Sequence, residues 1–264
     1  MPFVTSLFRY PVKGFTPESR DALTVQDDGR VAGDRVLAFR FADAAQPEDR
    51  DGLDHWPKTR GLALMDFPSL ARLTLSYDDR RRLVRVALAG ELLAEERLDP
   101  EGRRRLCEAV TDYVLATPDA RRLRAAGRLP LALVGDGGTS RFQDRARGFV
   151  SLHAAASVAA LNALVEAPVD DRRFRSNVVI DGVDAWEELS WAGRVTIGNV
   201  QFEARQPIGR CLAVQANPDT GERDARLLQV LTRDVGQAEP TLGILLLPVR
   251  GGGVIRVGDE VRAG

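Results

Sequence analysis

Apolar positions in the first hundred residues fall in short runs rather than at helical intervals. Phe3–Tyr10, Ala22–Gln26, Arg35–Phe41, Leu62–Met65, Ala71–Tyr77 and Leu83–Leu88 have strand composition. Gly, Asp or Pro separates them, as in DDG at 27–29, GD at 33–34, DFP at 66–68 and DD at 78–79. Short, punctuated runs of this kind predict a small antiparallel barrel or sandwich. Ala44–Lys58 is polar and rich in Asp and Pro, and reads as a loop.

The period changes after residue 99. Across Pro100–Ala116, Leu106, Val110, Tyr113 and Val114 recur at helical spacing, with Cys107 beside that face and Pro118 beyond the end. A second helix is predicted over Leu152–Glu166, stopped by Pro168. The remainder returns to strands: Asn177–Ile180, Arg194–Ile197, Val200–Ala204, Cys211–Gln215, Gly243–Val249 and the terminal VIRVGDEV. NPDTG at 217–221 is a turn, with Pro fixing φ and Asp and Gly tolerating the remaining geometry. The expected fold is mostly β with a few helices, an α+β chain. A domain boundary is expected near residues 95–103, which sets a small β-barrel or sandwich at 1–98 apart from a strand-rich part at 99–264.

Composition narrows the function classes. The 264 residues are 44% hydrophobic and 28% charged, with a net charge of −1. Neither nucleic acid nor an anionic membrane is implied as a partner. No apolar run is long enough to span a bilayer, and the N-terminal MPFVTSLFRYPVKG has no secretion-signal pattern. The expected setting is cytoplasmic and reducing, since two cysteines make no disulfide framework. Only two of the 37 basic residues are lysines, Lys13 and Lys58. In a chain that covers its surface with arginine, PVKG at 11–14 stands out.

Cys211 is the sharpest candidate for chemistry. It follows Arg210 directly, with Arg205 a few residues back. A small core residue, half of a disulfide and a reactive sulfur are all open readings. Nearby cations favour a thiolate, and a thiolate suits a soft metal. Zinc spacing is absent: there is no CxxC, and the two histidines, His55 and His153, lie far apart. His55 reads as a solvent-facing loop residue and His153 as a helix-start residue. In DRRFRSN at 171–177 the arginines form either a solvated face or an anion clamp, and Asn177 could donate to a heterocycle. Lys13, Arg35, Arg60 and Arg141 could face one anion. Glu187 and Glu188 read as loop acids beside Trp186 and Trp191. No phosphate-binding glycine loop is present.

These pieces together resemble a known family. FRYPVKG…GRVAGDRVLAF is similar to the MOSC N-terminal β-barrel domain. RRFRSNVVIDGVDAWEELSWAGRVTIGNVQFEARQPIGRCLAVQANPDTGERD and the closing LGILLLPVRGGGVIRVGDEV resemble the MOSC domain itself. Proteins carrying both domains include the mitochondrial amidoxime-reducing component and bacterial relatives.

The resemblance implies a molybdenum–molybdopterin cofactor with Cys211 as metal ligand. It assigns Lys13, Arg35, Arg60, Arg175, Asn177 and Arg210 to cofactor binding, and Asp144 to the catalytic face. The implied activity is reduction of N-hydroxylated or related N–O or S–O small molecules by oxygen-atom transfer. The alternative is a sulfur-carrier or cofactor-handling protein with Cys211 as the persulfide site. A member that has lost its cofactor is a third reading.

Two departures from the family pattern are visible. Gly14 stands where the family often has Ser, and Ser176 where it often has Pro. With no cysteine after Cys211 this sequence supplies no four-cysteine Fe–S cluster. Electrons are therefore expected from a separate donor protein of ferredoxin or flavin type.

Overall fold

A computed structural model of the chain describes residues 1–50, 53–144 and 148–264, with Arg50, Leu53 and His55 described by backbone alone. The expectation for the His55 side chain therefore lies outside the described residues. The fold is strand-rich with few helices, as the pattern of short runs predicts.

The largest sheet has eight strands. Their order is Val261–Ala263, Gly193–Ile197, Val200–Gly209, Thr241–Pro248, Val150–Ala154, Val178–Asp181, Phe3–Arg9 and Glu18–Arg20. Thr241–Pro248 and Val150–Ala154 are central and buried on both faces, which matches their nearly continuous apolar sequence. Val200–Gly209 alternates buried and exposed residues at its start, the mark of a strand with one wet face. The expected closed barrels are not formed as continuous ladders. The large sheet is open, and a single bridge, Phe3 with Glu260, brings its first strand to the segment before its last.

A three-stranded antiparallel sheet, Leu73–Asp78, Leu83–Leu88 and Glu91–Arg97, packs with helix Pro100–Leu115. Asp99 caps that helix by accepting from the Gly102 N–H at 2.8 Å, and Pro100 takes the first position, where no N–H is needed. Leu106, Cys107, Val110 and Val114 face Phe15, Phe39, Phe67 and Leu75 in one core. A second core lies under the large sheet, from Val4 and Leu7 to Ile244 and Ile255. A third joins Val158, Leu161, Phe174, Val214 and Leu242 behind the candidate site. Among the described residues, no helix is long and apolar enough to cross a membrane.

Several expected elements differ. The predicted helix at 152–166 is a buried strand, Val150–Ala154, followed by a helix limited to Ala155–Asn162. Parallel pairing with Val178–Asp181 and antiparallel pairing with Thr241–Pro248 claim the first residues for the sheet. Cys211–Gln215 is no strand. The long strand ends at Gly209, and Leu212–Gln215 forms a 3₁₀ turn. The supposed loop 44–58 contains a short hairpin, Glu48–Arg50 with Leu53–His55. Arg35–Phe41 is a strand only over Ala38–Arg40, because Arg35 takes a positive φ that no strand accommodates.

The first core has little room to relax around a fully buried Leu106. We expect Leu106→Ala to lower unfolding free energy by about 2–5 kcal/mol, read by urea titration. A loss below about 1 kcal/mol would contradict the packing described.

Candidate functional site

A cavity of about 500 Å³ opens where the end of Val200–Gly209 meets the turn after Phe174 and the turn at Lys13. Lys13, Arg35, Arg175, Arg210, Asp144 and Cys211 all line it. Residues separated by nearly two hundred positions thus converge.

The backbone is bent to bring them there. Arg35 and Arg175 have φ of 52° and 55°, in the left-handed region that usually falls to glycine. Such conformations persist only when the surroundings enforce them, and they concentrate at functional sites. Here the Arg35 N–H donates to the Tyr10 carbonyl at 2.7 Å, and the Arg175 N–H closes a turn onto the Arg172 carbonyl at 3.2 Å. Both guanidinium carbons stand 4.5 Å from the centre of the buried Tyr10 ring. Arg35 also donates to the Arg175 carbonyl at 3.2 Å, and Arg175 donates to the Phe15 carbonyl. Burial pushes the Arg175 guanidinium down to about 10, and the neighbouring Arg35 charge adds to this.

Asp34 organises this pair. It is 3% exposed, accepts from the Tyr10 N–H at 2.7 Å and from the Asn177 amide at 3.3 Å, and pairs with Arg35. Asn177 also donates to the Phe8 carbonyl at 3.1 Å and accepts from the Ser151 hydroxyl at 2.8 Å. Its amide is committed to joining three chain segments, so the expectation of a free donor to a heterocycle is corrected.

Lys13 Nζ is 2.7 Å from Asp144. Burial pushes the Lys13 ammonium down, and Asp144 works against that shift. Desolvation pushes the Asp144 carboxyl up, but Lys13 outweighs it and holds the group below the usual carboxylate range. Gly14, beside Lys13, has φ of 85°, and a β-carbon there would stand 2.8 Å from the Leu62 carbonyl oxygen. A serine would collide with that backbone, so glycine is what this turn requires.

Arg210 is a half-buried cation without an ion-pair partner among the described residues. It donates to the Phe174 carbonyl at 2.7 Å and to the Leu242 carbonyl. Its Nε–H has no partner among them. Burial pushes its guanidinium down to about 10, against the pull of Cys211. Cys211 follows in extended conformation, half-buried in the cavity wall.

The other candidates sort differently. Arg173 forms a two-pronged pair with Asp224 at 2.7 and 3.0 Å, and Arg172 pairs with Asp170 and Asp219. Of the arginine run only Arg175 presents an unneutralised charge to the cavity. Arg60 is a correction: it lies away from the cavity lining, paired with Asp43 at 3.3 Å on the surface. Arg141 pairs with Asp28 at 2.5 Å, also outside the lining. Glu188 is no loop acid. It is fully buried, accepting from the Ala154 N–H at 3.3 Å and the Ser157 hydroxyl at 2.8 Å, and burial pushes its carboxyl up. His153 sits mid-strand and is 1% exposed, not at a helix start. Cys107 is a buried thiol of the first core, pushed up to about 11 by burial. Tyr10 and Asp34 escaped sequence reasoning, although GDR at 33–35 marked the place.

Removing the Asp34 carboxylate would strand Arg35 and free two amide donors. Asp34→Ala is expected to cost about 2–4 kcal/mol in urea unfolding. A cost below about 1 kcal/mol would show that the cluster does not depend on it.

The MOSC domain family model matches residues 140–262. A molybdenum cofactor sulfurase from Drosophila ananassae is 43% identical over 70 residues, 26% of this chain and 9% of its own length. Mitochondrial amidoxime reducing component 2 from Macaca fascicularis is 33% identical over 116 residues, 40% of this chain and 34% of its own. The chain thus spans about a third or less of these relatives. The crystal structure of the YUAD protein from Bacillus subtilis aligns over 99% of this chain and 94% of its own, at 12% identity and a TM-score of 0.43, too low to bear on the site. Arg175, Arg210 and Cys211 all lie inside the segment, residues 140–262, that is similar to the MOSC domain.

Proposed function

We propose that this protein is a molybdenum-cofactor-binding oxidoreductase that reduces N-hydroxylated or related N–O or S–O small molecules. The observation that carries the reading is a charge imbalance. Lys13, Arg35, Lys58, Arg173, Arg175 and Arg210 line one cavity, and Asp144 is the one carboxylate in its described lining; behind it Asp34 pairs with Arg35 and Asp224 with Arg173. Gathering this many cations partly out of water beside fewer carboxylates is costly unless an anion completes the site. A half-buried cysteine sulfur lies in the same wall. A phosphate-bearing, sulfur-rich cofactor satisfies both features, since guanidinium forks match phosphate and thiolates match a soft metal.

In this reading Cys211 holds molybdenum, and Arg35, Arg175 and Lys13 hold the pterin phosphate. When bound, the cofactor supplies two-electron redox chemistry at the metal. The chain supplies the rest. Arg210 adds positive charge to the wall that also carries Cys211, which suits an anionic ligand. Asp144, the residue that the family resemblance puts on the catalytic face, stays ionised at the cavity rim through its pairing with Lys13 and holds that ammonium toward the cavity. Phe149, Ile208 and Leu245 present apolar surface on the same cavity, which favours uncharged organic substrates over ions. Electrons come from a separate ferredoxin- or flavin-type protein.

A second reading is favoured by the similarity to molybdenum cofactor sulfurase: a sulfur-carrier or cofactor-handling role with a persulfide on Cys211. Stable metal separates the two. Protein from a cofactor-competent host is expected to hold close to one molybdenum per chain by elemental analysis, and Cys211→Ala close to none. Arg175→Ala should retain several-fold less than Arg205→Ala, whose arginine pairs with Glu203 on the surface. Metal retained without Cys211 would refute the ligand assignment. Absence of molybdenum with cyanide-releasable sulfur on Cys211 would select the carrier reading.

A further inference from the structure

Lysine is rare in this chain, and both copies meet at the cavity. Every basic residue other than Lys13 and Lys58 is arginine, yet both lysines line the same pocket. The proposed function gives a role to Lys13 only. Lys58 is exposed and begins the 3₁₀ turn Lys58–Arg60. Its backbone is firmly held. The buried Arg40 donates to the Pro57 carbonyl at 2.7 Å and to the Ala44 carbonyl at 3.2 Å, and its guanidinium carbon stands 5.4 Å from the centre of the Trp56 ring. Trp56 in turn lies 5.0 Å, centre to centre, from Phe142, a buried ring of the cavity lining. The Arg60 N–H closes the turn onto the Pro57 carbonyl at 3.1 Å. The two residues before Lys58 are thus anchored, and the lysine is presented at the cavity mouth.

The charges at the rim give this second lysine a task. Lys13 and Asp144 are 2.7 Å apart, and their side chains are 11% and 61% exposed. The carboxylate is therefore the outer member of the pair and the ammonium the inner one. An anion arriving from solvent meets Asp144 first, and the Lys13 charge behind it is already neutralised. Lys58 has no ion-pair partner among the described residues, and its charge reaches Asp144. Burial pushes that carboxyl up, but Lys13 and then Lys58 hold it below the usual carboxylate range. With Lys58 counted, these three rim groups sum to one positive charge; without it they are neutral, with the carboxylate outward. We infer that Lys58 is the outer cation of the anion site, the residue that draws a phosphate-bearing ligand past Asp144 into the cavity. The inference rests on the anion site proposed above, but neither on molybdenum nor on Cys211. An exposed ammonium of this kind acts through its charge, so its effect must survive replacement by another cation and fade as salt screens it.

The test reads anion affinity in the full-length chain purified without cofactor, with inorganic phosphate as the probe. Phosphate that binds the folded state raises the thermal midpoint, and the rise against concentration gives an apparent dissociation constant. Titrations are run at one pH and at ionic strengths of about 50 and about 500 mM, each held constant with sodium chloride. Lys58→Gln removes the charge and Lys58→Arg keeps it. Arg175→Ala reports on the inner part of the site. Arg205→Gln, at a surface pair with Glu203 outside the lining, controls for the loss of any surface cation. Because Lys58 is exposed, its variants should keep the phosphate-free midpoint within about 2 °C of the parent protein.

At the lower ionic strength Lys58→Gln is expected to weaken phosphate binding roughly three- to tenfold, and Lys58→Arg and Arg205→Gln less than about twofold. At the higher ionic strength the Lys58→Gln effect should fall below about twofold. Arg175→Ala should weaken binding at both, since a half-buried guanidinium is screened less. Parental affinity in Lys58→Gln, failure of Lys58→Arg to restore it, or an equal loss at both ionic strengths would each overturn the assignment. If Arg175→Ala weakens binding and Lys58→Gln does not, the anion site stands and Lys58 has no part in it. No phosphate-dependent rise in the parent protein would overturn the site and the inference together. If the Lys58 results hold in a protein that takes up no molybdenum, the outer cation stands and the cofactor reading fails.

Discussion

The structure turns on positive charge gathered partly out of water. Lys13, Arg35, Arg175 and Arg210 approach one cavity, and the protein neutralises them only in part. Asp34 pairs with Arg35 and Asp144 with Lys13. Arg175 and Arg210 are left with backbone carbonyls and aromatic rings. An isolated buried ion is among the most expensive features a fold can carry. The three cores, the sheet and the two strained arginine backbones hold these charges in place, and an anionic ligand would relieve them. Cys211 sits half-buried in the wall of the same cavity.

The framework explains why such an arrangement survives. Val150–Ala154 and Thr241–Pro248 run through the centre of the large sheet and carry or flank Ser151, His153 and Gly243. Rigid strands therefore support the residues behind Arg210. The first strand, Phe3–Arg9, pairs with Val178–Asp181, which brings Tyr10 and the turn at Lys13 against Ser176 and Asn177. Tyr10 is the shared platform: its ring meets Arg35 from one part of the sequence and Arg175 from another.

Much of this was legible in the sequence, and the rest was hidden for identifiable reasons. Helix Pro100–Leu115 announced itself by its cap, its proline and its apolar spacing. The short β runs gave the strand-rich class, but not the register that opens the large sheet rather than closing it. The sequence pattern carries the helix back to Leu152 because the apolar end of strand Val150–Ala154, beside a true helix at Ala155–Asn162, has no periodicity of its own to mark the junction. Lys13, Arg35, Arg175, Arg210 and Cys211 were recognisable as a set only through motif resemblance, since nothing local shows that they share a cavity. The resemblance also puts Arg60 in that set, but the residue pairs with Asp43 outside the cavity lining. Asp34, Tyr10 and the buried Glu188 depend on tertiary contacts that pattern does not encode.

The central claim is that the unbalanced cations and Cys211 form one site for one anionic, metal-bearing ligand. Anomalous diffraction at the molybdenum edge, on crystals of protein produced in a cofactor-competent host, tests it most directly. The account predicts a single molybdenum peak within bonding distance of Cys211 Sγ, with phosphate density between Arg35 and Arg175. A molybdenum peak away from Cys211, or an occupied cavity in which the arginines touch no anion, would contradict it.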